Sequence, residues 1–89
     1  MSAASVEDIR AKLIAALHPL SLEVIDEGHL HIGHAGEGSG HFRLRIVSTA
    51  FAGKSAIERH RLVYAALDEL MARGIHALAI EARSPAELG

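Results

Sequence analysis

FAGKSAIERHRLVYAALDELMARGIHAL, residues Phe51 to Leu78, carries a turn, a helix and the start of a strand in that order. Gly53 permits a tight turn after Phe51, and Ser55 followed three residues later by Glu58 has the form of a capping box, with each side chain placed to bond the other's backbone N–H. Ile57, Val63, Tyr64, Leu67, Leu70 and Met71 supply the apolar side of one long helix that ends near Gly74. The run from Ile75 to Ile80 is almost continuously apolar, which suits a strand with both faces partly covered, and His76 interrupts it at its head. Gly53-Lys54-Ser55 has the ending of a phosphate-binding loop, but that motif needs a glycine five positions earlier, where Ser48 stands. The turn-and-cap reading therefore wins over a nucleotide site.

Toward the N-terminus, Ser5 and Asp8 repeat the capping signature. Val6, Ile9, Leu13 and Leu17 recur at helical spacing until Pro19 blocks continuation, predicting a first helix over about residues 5–17. From Leu20 to Asp26 apolar and polar residues alternate, the period of a half-buried strand. Between Gly28 and Gly40 five glycines surround His29, His31 and His34, a composition whose backbone entropy opposes regular structure and predicts a loop. Phe42, Leu44 and Ile46 then alternate with Arg43, Arg45 and Val47, so a second strand buries one face and shows two arginines on the other. Ser84-Pro85 marks one terminal turn. Helix, strand, strand, helix, strand is the order of a single α+β domain over residues 1–89, a two-layer sandwich with helices on one face of a three-stranded sheet.

Composition narrows the function classes. At 89 residues there is room for one modest core, and with 49% hydrophobic but only 3% aromatic residues that core is aliphatic and offers no stacking platform for bases. The formal charge of −2 hides a division: residues 1–37 sum to −4 and residues 38–64 to +4. There is no cysteine, so any thiolate at a metal centre must come from another molecule. No apolar run is long enough to cross a bilayer, and Ser5, Glu7 and Asp8 open the chain where a secretion signal would be basic; the expectation is a cytoplasmic protein with no membrane contact. Glu23, Asp26, Glu27 and the loop histidines have the residue types of acid–base chemistry, yet no spacing assigns a nucleophile or an oriented base, and a non-enzymatic domain is expected.

Phe51-x-Gly53, then Arg59-His60-Arg61-Leu62-Val63-Tyr64, then Ile75-His76-Ala77-Leu78 together resemble the BolA family, over about residues 5–85. The resemblance implies an α-β-β-α-β fold similar to the type II KH fold. It also implies that His76, in the Ile-His-Ala-Leu motif, ligates a [2Fe–2S] cluster shared with a partner. A second ligand is implied from a His or Cys of the glycine-rich loop, matched by context at Gly33-His34-Ala35 as His34, with His31 or His29 able to substitute. The remaining ligands would be the cysteine of a monothiol glutaredoxin and the thiol of glutathione. Neutral imidazole in place of thiolate makes such a site less negative and raises its potential, and protonation of the ring removes the lone pair that binds iron.

The other histidines have plainer readings. His29, His31 and His34 lack the i, i+4 pairing of helical zinc sites, His41 sits in a His-Phe context with a structural role, and His18 before Pro19 is a surface residue. Arg59, His60 and Arg61 are consecutive on a helix and cannot share one face, so at least one turns toward the sheet; for His60 a partly buried, hydrogen-bonded imidazole is expected. In BolA-like proteins this basic helix is a contact surface for partners or DNA. The rival reading is therefore a DNA-binding transcriptional regulator of cell morphology and stress response, with Lys54, Arg59, His60, Arg61, Arg43 and Arg45 meeting phosphates. Against it stand the negative net charge and the missing Gly-x-x-Gly clamp of KH domains.

Overall fold

A computed structural model of the chain describes residues 5–28 and 40–88. Helix α1 (Val6–Leu17) begins at a complete capping box: the Ser5 hydroxyl accepts the Asp8 N–H at 3.1 Å, and the Ser5 N–H donates to the Asp8 carboxylate at 3.2 Å. It stops at His18, which adopts a left-handed conformation (φ 45°) just before Pro19. Its apolar stripe of Ile9, Leu13 and Leu17 is buried.

Strand β1 (Ser21–Asp26) pairs antiparallel with β2 (His41–Val47), in a register running from Ser21 opposite Val47 to Asp26 opposite Phe42. Strand β3 (Ala77–Arg83) pairs parallel with the other side of β2, His41 opposite Ala77 and Val47 opposite Arg83. A parallel pair needs a crossover, and α2 (Ala56–Ala66) and α3 (Asp68–Arg73) provide it. The sheet order is β1-β2-β3, so β2 is central and its alternation decides the layers. Phe42, Leu44 and Ile46 are buried beneath the helices, while Arg43 and Arg45 are exposed on the open face. This is the expected two-layer α+β sandwich.

Ser48, at the position where a phosphate loop would need glycine, is fully buried. Its hydroxyl donates to Leu17 O at 2.6 Å and accepts the Ala50 N–H at 3.1 Å, and its own N–H donates to Arg83 O at 3.0 Å. One small polar residue thus ties the end of α1, a 3-10 turn (Thr49–Phe51) and the end of β3 together. Phe51 at the end of that turn is completely enclosed.

Three expectations need correction. The long helix is two: at Leu67 the backbone leaves helical geometry (φ −102°, ψ 10°) although no glycine or proline lies between Lys54 and Arg73. Leu67 is fully buried with Val63 and Leu70 in the core, and the Leu67 and Met71 N–H groups still donate to Val63 O and Leu67 O, so the break is a local change of backbone angle without a breaker residue. Ile57 and Tyr64, read as core, are 64% and 41% exposed. The last strand begins at Ala77, continues past the apolar run to Arg83, and is covered on one face only: Ala77, Ala79, Glu81 and Arg83 are exposed. Alanine is small enough to sit on a solvated sheet face, and the hydropathy pattern could not distinguish that from burial.

Candidate functional site

His76 lies between the end of α3 and the first residue of β3. Its neighbour Ile75 is 5% exposed and anchors the turn in the core, which leaves the His76 side chain exposed at the head of the strand. Gly74 and Ile75 both donate to Leu70 O, at 3.0 and 3.2 Å, ending α3. The next two N–H groups, of His76 and Ala77, both donate to Gly40 O, at 2.8 and 3.1 Å. Gly40 has φ +79°, a conformation that disfavours side chains. A methyl group there would overlap Gly74 O and come within 2.7 Å of His76 Cδ2. At the same end of the sheet the Glu27 N–H donates to His41 O at 2.8 Å. Both ends of the glycine-rich segment are therefore tied at this end of the sheet, and Gly40 is bonded directly to His76. His34, His31 and His29, the loop ligands implied by the resemblance, lie outside the described residues. His41 is half-buried on β2 opposite Ala77, a framework position. Among the described residues no three His, Cys, Asp or Glu side chains gather closely enough to hold an ion, so a centre at His76 needs donors from elsewhere.

The basic residues do not form one surface. Arg59 turns inward: its side chain is only 12% exposed, with Nε donating to Lys54 O at 2.9 Å and Nη1 to Ala82 O at 3.0 Å and to the Glu87 carboxylate at 2.6 Å. It is the member of the Arg-His-Arg triplet that meets the sheet, and its guanidinium is committed to the fold instead of to a ligand. His60, expected to be partly buried, is exposed. Glu87, in the terminal 3-10 turn (Pro85–Leu88), also accepts the Ser84 N–H at 2.7 Å. That bond, followed by the Arg59 guanidinium, pulls its carboxyl down to about 2.

Arg43 and Arg45 lie on the opposite, open face of the sheet, each beside a carboxylate: Arg43 with Glu27 at 2.9 Å and Arg45 with Glu23 at 3.7 Å. The Glu27 hydrogen bond and charge raise the Arg43 pKa. What remains exposed at the start of α2 is Lys54, His60 and Arg61, of which Lys54 and His60 flank a groove of about 340 Å³ against Ile80 and Ala82 of β3. The nearby Glu58 carboxyl is held low, chiefly by the Ser55 N–H of the capping box and less by Lys54 and Arg61. The groove runs from Ile80 in the middle of β3 to Ala82, which lies about 20 Å from His76 at six residues along an extended chain.

No described helix is long and apolar enough to cross a membrane. Residues 13–87 match the family model described as BolA-like protein. An uncharacterized protein in the cobS 5' region of Sinorhizobium sp. is 49% identical over 91% of this chain and 91% of its own length. The DNA-binding transcriptional regulator BolA of Escherichia coli (strain K12) is 43% identical over 83% of this chain and 70% of its own. The chain is also similar to the solved BolA domain of SufE1 from Arabidopsis thaliana, at 47% identity and a TM-score of 0.84, covering 98% of this chain and 99% of that one. It spans only 24% of the full Arabidopsis SufE-like protein 1.

Proposed function

Since the chain belongs to the family of BolA-like proteins, we propose that it is a non-enzymatic adaptor of iron–sulfur and redox homeostasis, which binds a monothiol glutaredoxin and contributes His76 to a [2Fe–2S] cluster shared with that partner and glutathione. The observation that carries the reading is the exposed imidazole of His76, presented at the end of the sheet beside Gly40, where the segment that contains His34 rejoins the fold. An exposed imidazole at the head of a strand is a suitable borderline donor for iron, and the absence of cysteine leaves the sulfur ligands to the partner. A [2Fe–2S] cluster held there supplies a one-electron couple or a transferable iron–sulfur unit, with imidazole raising its potential relative to all-thiolate ligation. The chain's own part is to offer His76, with His34 as second donor, and to exclude competing thiols by having none. The thiol chemistry required of the partner and glutathione belongs to a reducing compartment, the cytoplasm in this reading.

The test is anaerobic co-purification with a monothiol glutaredoxin and glutathione. The heterodimer is expected to be coloured, and His76→Ala should change its visible and electron paramagnetic resonance spectra and shorten cluster retention, with His34→Ala having the largest effect among the loop histidines. A heterodimer whose spectrum is indifferent to His76→Ala would sink the proposal.

A second reading, a DNA-binding regulator, is favoured by the exposed Lys54 and Arg61 at the start of α2 and by the name of the Escherichia coli relative. Two such contacts would give a log K against log salt slope of only about −2. Retardation of duplex DNA that disappears in Lys54→Ala plus Arg61→Ala supports this reading; unchanged retardation removes it.

A further inference from the structure

We infer that Gly40 is a positioning residue for His76, setting the direction of the imidazole before any partner arrives; this rests on the reading of His76 as a ligand. An exposed histidine at a strand head would ordinarily sample several rotamers, and each one lost on ligation weakens binding. Here the backbone on both sides of the ring is held by a single carbonyl: Gly40 O accepts from His76 N at 2.8 Å and from Ala77 N at 3.1 Å. The site a Cβ would occupy on Gly40 lies 2.7 Å from His76 Cδ2 and 3.0 Å from His76 N, so only glycine lets β2 approach the ring this closely. The Cδ2 edge of the imidazole thus rests against the backbone, and Nδ1, on the other side of Cγ, belongs to the edge turned away from it.

Gly53 provides the control. It has nearly the same backbone angle, φ +72° against +79°, but a Cβ there meets nothing within 4 Å. Alanine at either position carries similar left-handed strain, and only at Gly40 does it collide with the ring and with Gly74 O.

The first measurement is on the unaltered protein by nuclear magnetic resonance: one dominant χ1 rotamer for His76 and a nuclear Overhauser effect between His76 Hδ2 and Gly40 Hα are expected, with averaged couplings for exposed His60. Rotamer averaging at His76 with no such effect overturns the inference, whatever the variants do. Gly40→Ala is then expected to shift the His76 ring resonances, change the resonance spectrum of the loaded heterodimer and shorten cluster retention roughly 10- to 100-fold, the usual cost of losing an orienting group behind a ligand, while Gly53→Ala changes none of these. A folded Gly40→Ala protein with the original ring resonances and spectrum also overturns it. If Gly40→Ala does not fold, the measurements on the unaltered protein decide. Failure of the ligand reading looks different: His76→Ala leaves the heterodimer spectrum unchanged while the ring in the free chain is still held by Gly40.

Discussion

Ser48 satisfies Leu17 O and Ala50 N from a fully buried hydroxyl, so Ser48→Ala orphans both and should cost about 1–3 kcal/mol, read as a lower urea midpoint at unchanged slope. Glu87 gives a pH dependence with a definite sign. Its carboxyl falls from an ordinary 4.5 to about 2 in the fold, so the stability it contributes is fully present above pH 4.5 and is lost as pH drops toward 2. Urea midpoints measured from pH 5 to pH 2 should fall less steeply in Glu87→Gln than in the unaltered protein; identical slopes would mean that the Ser84 and Arg59 bonds do not persist in solution. Capping serines 5 and 55 were legible from sequence because their partners are three residues away, whereas Ser48 bonds a carbonyl 31 residues away and carries no local signature.

At the scale of elements, the Arg59 side chain adds a hydrogen bond from α2 to β3 beyond their packing in the core. Arg59 reaches from the helix to Ala82 O and Glu87, so Arg59→Ala should lower the unfolding midpoint well beyond Arg61→Ala, an exposed neighbour expected within about 0.5 kcal/mol of the unaltered protein. Equal effects of the two substitutions would contradict the inward placement of Arg59. A DNA-binding assay that removes Arg59 would therefore read unfolding together with lost contacts, and Lys54 with Arg61 is the cleaner pair. The break between α2 and α3 rests on Leu67, and Leu67→Ala should cost about 2–5 kcal/mol through the cavity it leaves. Helix propensity predicts one uninterrupted helix here because every residue from Ala56 to Arg73 tolerates it; the change of backbone angle falls at Leu67, whose burial in the core propensity does not register.

For the whole molecule, the separation of His76 from Lys54 and Arg61 by the length of the sheet predicts independence. His76→Ala should leave any DNA retardation untouched, Lys54→Ala plus Arg61→Ala should leave the heterodimer's spectrum untouched, and the triple substitution should show the sum, as sites farther apart than about 10 Å usually do. Cross-effects in either direction would show that one partner covers both ends. The sequence alone determined the layers, the strand alternation that turns Phe42, Leu44 and Ile46 inward and both capping boxes, because periodicity and caps are written in residues that are neighbours along the chain. Only the tertiary structure decided that Arg59 faces inward while His60 faces out, that Arg43 and Arg45 stand across the sheet from α2 beside Glu27 and Glu23, and that Gly40 rests against His76. Those relations join residues 16 to 36 positions apart, and it is the packing of strands and helices, not local preference, that brings them together.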